Sequence, residues 1–144
     1  MAYVTKYTVQ LLKESSIKYE KQITGIDTAM EIVKNLLANK TQEEFWLICL
    51  DAKNRIIGAF QVSIGTTYQS VISTKDIFQR AILCNAVRII VAHNHPSGDA
   101  TPSKEDIDAT KKIQKAGELM DIKLIDHIIC GEDECISLAQ QRYI

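Results

Sequence analysis

The chain has 144 residues, 46% of them hydrophobic, and a formal charge of −1 from 17 Lys and Arg against 18 Asp and Glu. That length suits one domain with a sizeable core, and the even charge disfavours a non-specific nucleic-acid binder. No apolar run reaches bilayer length, and Met1-Ala2-Tyr3-Val4-Thr5-Lys6 lacks the basic-then-apolar pattern of a leader, so a cytoplasmic protein off the membrane is expected.

No repeat or Pro/Gly-rich linker interrupts the chain, which predicts a single domain over residues 1–144. Tyr3 to Leu12, rich in Tyr, Thr and Val, predicts an opening strand, and Lys13 to Ile26 reads as a polar connector. Thr28-Ala29-Met30-Glu31 has the form of a capping box, followed by helical spacing of Ala29, Ile32, Val33, Leu36 and Leu37. Phe45 to Leu50 is apolar throughout, as a strand covered on both faces would be. A turn at Asp51 to Asn54 then leads to a second, antiparallel strand over Arg55 to Ile64.

Ser73 or Thr74 can cap a second helix that buries Ile77, Phe78, Ala81 and Ile82. Val87 to Ala92 predicts the most buried strand, and it runs directly into His93. A third helix starts near Ser103 with Ile107, Thr110, Ile113 and Ala116 on one stripe. Ile122 to Cys130 and Cys135 to Leu138 supply the last strands. Helices alternating with apolar strands predict an α/β fold, a three-layer sandwich with a central mixed sheet flanked by helices. Of the four cysteines, Cys49, Cys84 and Cys130 lie in apolar stretches and read as reduced core thiols. Cys130 and Cys135 form no CxxC pair and have no His at finger spacing, which argues against a structural zinc site.

The chemistry concentrates in His93-Asn94-His95-Pro96-Ser97-Gly98-Asp99-Ala100-Thr101-Pro102-Ser103-Lys104-Glu105-Asp106. Side chains two apart on an extended backbone share a side, so His93 and His95 can converge on one ion. Pro96, Gly98 and Pro102 force a loop that delivers Ser103 and Asp106 to the first turn of a helix. Two imidazoles and a carboxylate leave a tetrahedral ion one corner for water, as at a catalytic zinc. Ser103 to Asp106 also fits a helix cap, which is compatible with ligation by Asp106. Asp99, flanked by Gly98 and Ala100, reads instead as an Asx-turn.

This segment resembles the signature of the JAMM/MPN⁺ metalloproteases: a Glu, then His-x-His, ten residues, and Asp. The run His-Asn-His-Pro-Ser-Gly-Asp is similar to their bacterial RadC-type (JAB) branch. The similarity extends to Glu43-Glu44-Phe45, Leu50-Asp51, Gly65-Thr66 and Asp126-His127-Ile128-Ile129, covering residues 27–138. The resemblance implies a cytidine-deaminase-like JAB/MPN sandwich with Zn²⁺ on His93, His95 and Asp106. It implies that Glu43 acts as general base and Ser103 supports the transition state. The implied activity is hydrolysis of a peptide or isopeptide amide bond in a protein or peptide substrate. Glu44 is the rival base, because one register slip exchanges neighbours on a strand. His127, preceded by Asp126, reads either as a neighbour of the site or as an ordinary hydrogen-bonded imidazole, and is not counted among the site residues.

Two departures accompany the resemblance. Longer RadC-type proteins carry a helix-hairpin-helix segment that is not read here, which weakens any DNA-repair role drawn from the family. Ser73-Thr74-Lys75-Asp76 stands where the branch has a Pro-Arg-Glu-like run. The competing functions are a non-catalytic MPN-type interaction module and a nucleic-acid enzyme. The zinc deaminases use a Pro-Cys-x-x-Cys element that this chain lacks. Substrate specificity is expected in the loops Ile64 to Ser73 and Gly131 to Glu134.

Overall fold

Helix α1 (Ile26–Leu37) forms on the expected stripe, and Ala29, Val33, Leu36 and Leu37 are all buried. It starts earlier than the sequence predicts. Gly25, in extended backbone, occupies the N-cap, which moves Thr28 into the first turn, where its hydroxyl lies 3.1 Å from that of Thr24. The Thr28–Glu31 capping box is therefore not made. These coordinates come from a computed structural model that describes residues 1–19, 22–65 and 73–144.

The remaining elements are β1 (Glu44–Leu50), β2 (Ile56–Ile64), α2 (Thr74–Leu83), β3 (Arg88–Asn94), α3 (Lys104–Met120), β4 (Lys123–Cys130) and β5 (Cys135–Ser137). Among the described residues they form one five-stranded sheet in the order β2-β1-β3-β4-β5. β1 runs antiparallel to both β2 and β3, whereas β3 and β4 are parallel and joined by α3, so the sheet is mixed. A parallel pair needs such a crossover, and α3 supplies it.

The sheet is covered on both faces, which makes three layers. On one side Phe45, Leu47, Cys49, Ile89, Val91 and Leu124 pack with Ile77, Phe78 and Ala81 of α2 and Ile113 of α3. On the other, Ile48, Leu50, Ile90, Ala92 and Ile128 pack with Ala29, Val33, Leu36 and Leu37 of α1. Alternation along β1 and β3 sorts these residues between the two cores. β4 breaks the alternation: Ile89 pairs with Leu124 but Ile90 pairs with Asp126, leaving Ile125 as an extra residue. This bulge turns both Leu124 and His127 toward α3.

Three further sequence expectations fail. Residues 1–19 form no strand and lie exposed, since no neighbouring strand pairs with Tyr3 to Leu12 and a lone strand leaves its backbone to water. Ile82 is 55% exposed at the end of α2 rather than buried. Cys130 is not a reduced thiol: the β4–β5 hairpin sets it opposite Cys135, and the two form a disulfide. Cys49 and Cys84 are free, and burial raises the Cys49 thiol far above its ordinary value. Among the described residues, no helix is long and apolar enough to cross a membrane.

Candidate metal centre

The site lies at the sheet edge where β3 and β4 end and β1 begins. His93 is the penultimate residue of β3 and is opposite Phe45 of β1 in register. His95 follows immediately, and its N–H donates to the carbonyl of Cys130 at the end of β4 (2.8 Å). Gly98, with φ +94, then turns the chain, and its N–H returns to the His95 carbonyl. Asp99 makes the expected Asx-turn, accepting from the Thr101 N–H (2.9 Å) and hydroxyl (2.7 Å). The loop rests on the β4–β5 turn. Glu132 N–H donates to the Gly98 carbonyl, and a methyl group on Gly131 would overlap that carbonyl oxygen.

Ser103 caps α3 and Asp106 completes a capping box. Ser103 Oγ accepts from Asp106 N–H (3.0 Å), and Asp106 Oδ2 accepts from Ser103 N–H (2.9 Å). The cap fixes the Asp106 carboxylate over the two imidazoles. His93 Nε2 lies 3.0 Å from His95 Nε2 and 3.3 Å from Asp106 Oδ1, and His95 Nε2 lies 3.2 Å from Asp106 Oδ2. A tetrahedral zinc with ligands at about 2.0–2.1 Å sets its ligand atoms about 3.3 Å apart. The two imidazoles reach different oxygens of Asp106, and one ligand atom from each residue lies within 4.8 Å of the others, close enough to share one ion. The donor set fits as well, since two imidazoles and a carboxylate suit zinc.

The charges agree with the geometry. Burial works against the Asp106 carboxylate, but the imidazoles of His93 and His95 beside it outweigh it and hold the carboxyl well below the usual range. The same carboxylate raises His95, against opposition from burial, with smaller contributions from the Asp99 carbonyl and the charge of Glu43. A proton there and a metal ion compete for one place.

A sequence profile of the RadC-like JAB domain matches residues 23–143. The chain belongs to this family. It is 40% identical over 120 residues to a UPF0758 protein of Coprothermobacter proteolyticus, covering 83% of this chain and 51% of that one. A UPF0758 protein of Carboxydothermus hydrogenoformans is 43% identical over 116 residues, covering 81% of this chain and 51% of its own. One of Haemophilus influenzae is 40% identical over 139 residues, covering 92% and 63%. The chain thus spans about half to three-fifths of the length of these relatives, whose names state no activity.

In this JAB domain the two glutamates part company. Glu44 is 5% exposed, and its Oε1 accepts from Trp46 Nε1 (3.0 Å) and Gln61 Nε2 (2.7 Å) while Lys40 lies 3.5 Å from Oε2. Strand alternation puts it on the α1 side, away from His93. Glu43 is half-buried and shares the alternation of Phe45, the residue beside His93. Of the two, Glu43 lies on the side of His93, close enough for its charge to act on His95.

Sequence reasoning missed three polar residues. Asn94, between the two histidines, points to the other face; its Oδ1 accepts from Glu44 N–H (2.7 Å) and its Nδ2 donates to the Gln42 carbonyl (3.0 Å). His127 is fully buried behind His93, Nε2 to Nδ1 at 2.7 Å, and its Nδ1 lies 2.6 Å from Thr110 Oγ1. Burial drives His127 well below the ordinary imidazole range. The sequence signals were a polar Thr110 on an otherwise apolar stripe of α3 and the Asp126-His127 pair within the resemblance. Of the two loops expected to hold specificity, Gly131 to Glu134 supports the metal loop, and residues 66–72 of the other lie outside the described residues.

Proposed function

We propose that this JAB domain is a zinc-dependent hydrolase of amide bonds, acting on a peptide or isopeptide linkage of a protein or peptide substrate. The observation that carries the reading is the convergence of His93 Nε2, His95 Nε2 and the Asp106 carboxylate, whose nearest pairs lie 3.0–3.3 Å apart and whose ligand atoms all fall within 4.8 Å of one another. When bound there, zinc supplies a water whose pKa falls from about 15.7 towards 7 and an electrophile for the scissile carbonyl. Glu43, on the His93 side of β1, takes the water proton and returns it to the departing amine. Ser103 Oγ already accepts from Asp106 N–H, which leaves its own proton free to donate to the developing oxyanion. One such donor is worth about 10²–10³ in rate.

The test is a peptide library incubated with the zinc-loaded chain, with and without chelator, and read by mass spectrometry. Chelator-sensitive cleavage is expected. Glu43→Gln should keep about one zinc per chain and lose turnover at least about 10²-fold; ordinary turnover in that variant would remove Glu43 from the role. His93→Ala, His95→Ala and Asp106→Ala should each lose the metal. A chain that binds no zinc would end the proposal.

A further inference from the structure

The two histidines of this cluster are held in different ways. His95 Nδ1 lies 2.9 Å from the Asp99 carbonyl, which can only accept, so Nδ1 carries a proton and, in the neutral ring, Nε2 is bare. His93 has no carbonyl to its rear. Its Nδ1 faces another imidazole, whose own protonation has to be settled first.

We propose that Thr110 and His127 form a relay that fixes the tautomer of His93, keeping its Nε2 proton-free and aimed at the metal corner. The inference rests on the metal-centre reading above and extends it to two residues that contact no metal. The relay starts at the Asp106 carbonyl, which accepts from Thr110 Oγ1 at 2.5 Å. At that separation the single hydroxyl proton lies between the two oxygens. Thr110 Oγ1 can then only accept from His127, so His127 Nδ1 carries a proton. His127 is 0% exposed and forms no ion pair among the described residues, so it is neutral and its Nε2 holds a lone pair. That lone pair accepts from His93 Nδ1 at 2.7 Å, which leaves His93 Nε2 bare.

Asp106 thus serves twice: its side chain faces the metal corner, and its carbonyl sets the polarity that orients a second ligand. Phe45 seals the relay, stacked on His93 at 5.9 Å and edge-on to His127 at 5.8 Å. With every ring neutral and held this way, three acceptors converge, and the corner takes a cation, either a metal ion or the proton that the metal displaces. The opposite polarity would put a proton on His93 Nε2 and close the corner.

The experiment uses ¹⁵N-histidine-labelled chain and long-range ¹H–¹⁵N spectra, without metal and with Zn²⁺, together with zinc affinity by chelator competition. The wild type should show His93 and His127 protonated at Nδ1 in both states. His127→Leu should lower zinc affinity about 10- to 100-fold, as outer-shell losses do. His127→Gln, whose side-chain carbonyl can accept from His93, should restore most of it. Thr110→Val should behave like His127→Leu and Thr110→Ser like wild type, with circular dichroism melts confirming that each folds. The relay is overturned if wild-type His93 carries its proton on Nε2, or if the conservative and non-conservative variants lose affinity equally. If the wild type binds no zinc, the hydrolase reading fails, and the metal-free spectra still decide the relay.

Discussion

Asn94 fastens the backbone on both sides of Glu43, one bond to Gln42 and one to Glu44. This grip would keep Glu43, the base proposed above, from fraying with the strand end. Asn94→Ala should cost about 1–3 kcal/mol, because it leaves the buried Glu44 N–H unpaired. It should also lower turnover while zinc affinity stays within a few-fold, since no metal ligand is touched. A melt, a zinc titration and a rate measurement on the same preparation check this; equal losses of affinity and rate would show that Asn94 serves the metal loop instead. At this scale His93, His95 and Asp106 were legible in the sequence because their spacing is local and their chemistry is rare. Asn94 and His127 were not. Their partners lie 50 and 34 residues away, and no spacing rule spans that distance.

At the scale of elements, Ser103 begins α3 and also stands beside the metal corner. Two substitutions separate these duties. Ser103→Ala removes cap and hydroxyl together and should cost about 1 kcal/mol of stability. Ser103→Gly keeps most of the capping preference, costing a few tenths of a kcal/mol, but it still lacks the donor. If the hydroxyl supports the transition state, both variants should lose about 10²–10³ in rate; if only Ala loses it, Ser103 is a cap and nothing more. The helices and central strands were legible from apolar periodicity, as Val33, Leu36, Leu50 and Ile90 illustrate. Boundaries were less so. Gly25 took the cap that Thr28 seemed fitted for, and Tyr3 to Leu12 has strand composition without a strand to join. Composition states what a segment tolerates, whereas pairing depends on what lies next to it.

For the molecule as a whole, the metal corner joins the end of β3 to the start of α3, two elements otherwise tied through the core beneath. Zinc should therefore stabilise the fold. At a free concentration 100 times its Kd, it adds about 2.7 kcal/mol, a rise of roughly 5–10 °C in Tm for a chain of this size. Differential scanning calorimetry before and after chelation checks this, and an unchanged Tm would show that the corner does not bind the ion. The three-layer mixed sheet was legible in the order of elements, because a buried strand running into a helix and another strand predicts a parallel pair. The cysteine pairing was not, since it follows from the β4–β5 register rather than from a spaced motif. The surplus residue in β4 has a consequence of its own. Without Ile125, Leu124 would still lie opposite Ile89 and Asp126 opposite Ile90, so plain alternation would keep Leu124 and His127 on the α3 side. The strand can therefore absorb a one-residue gap at that position, whereas a gap at Asp126 would also take away the carboxylate that holds Ser137.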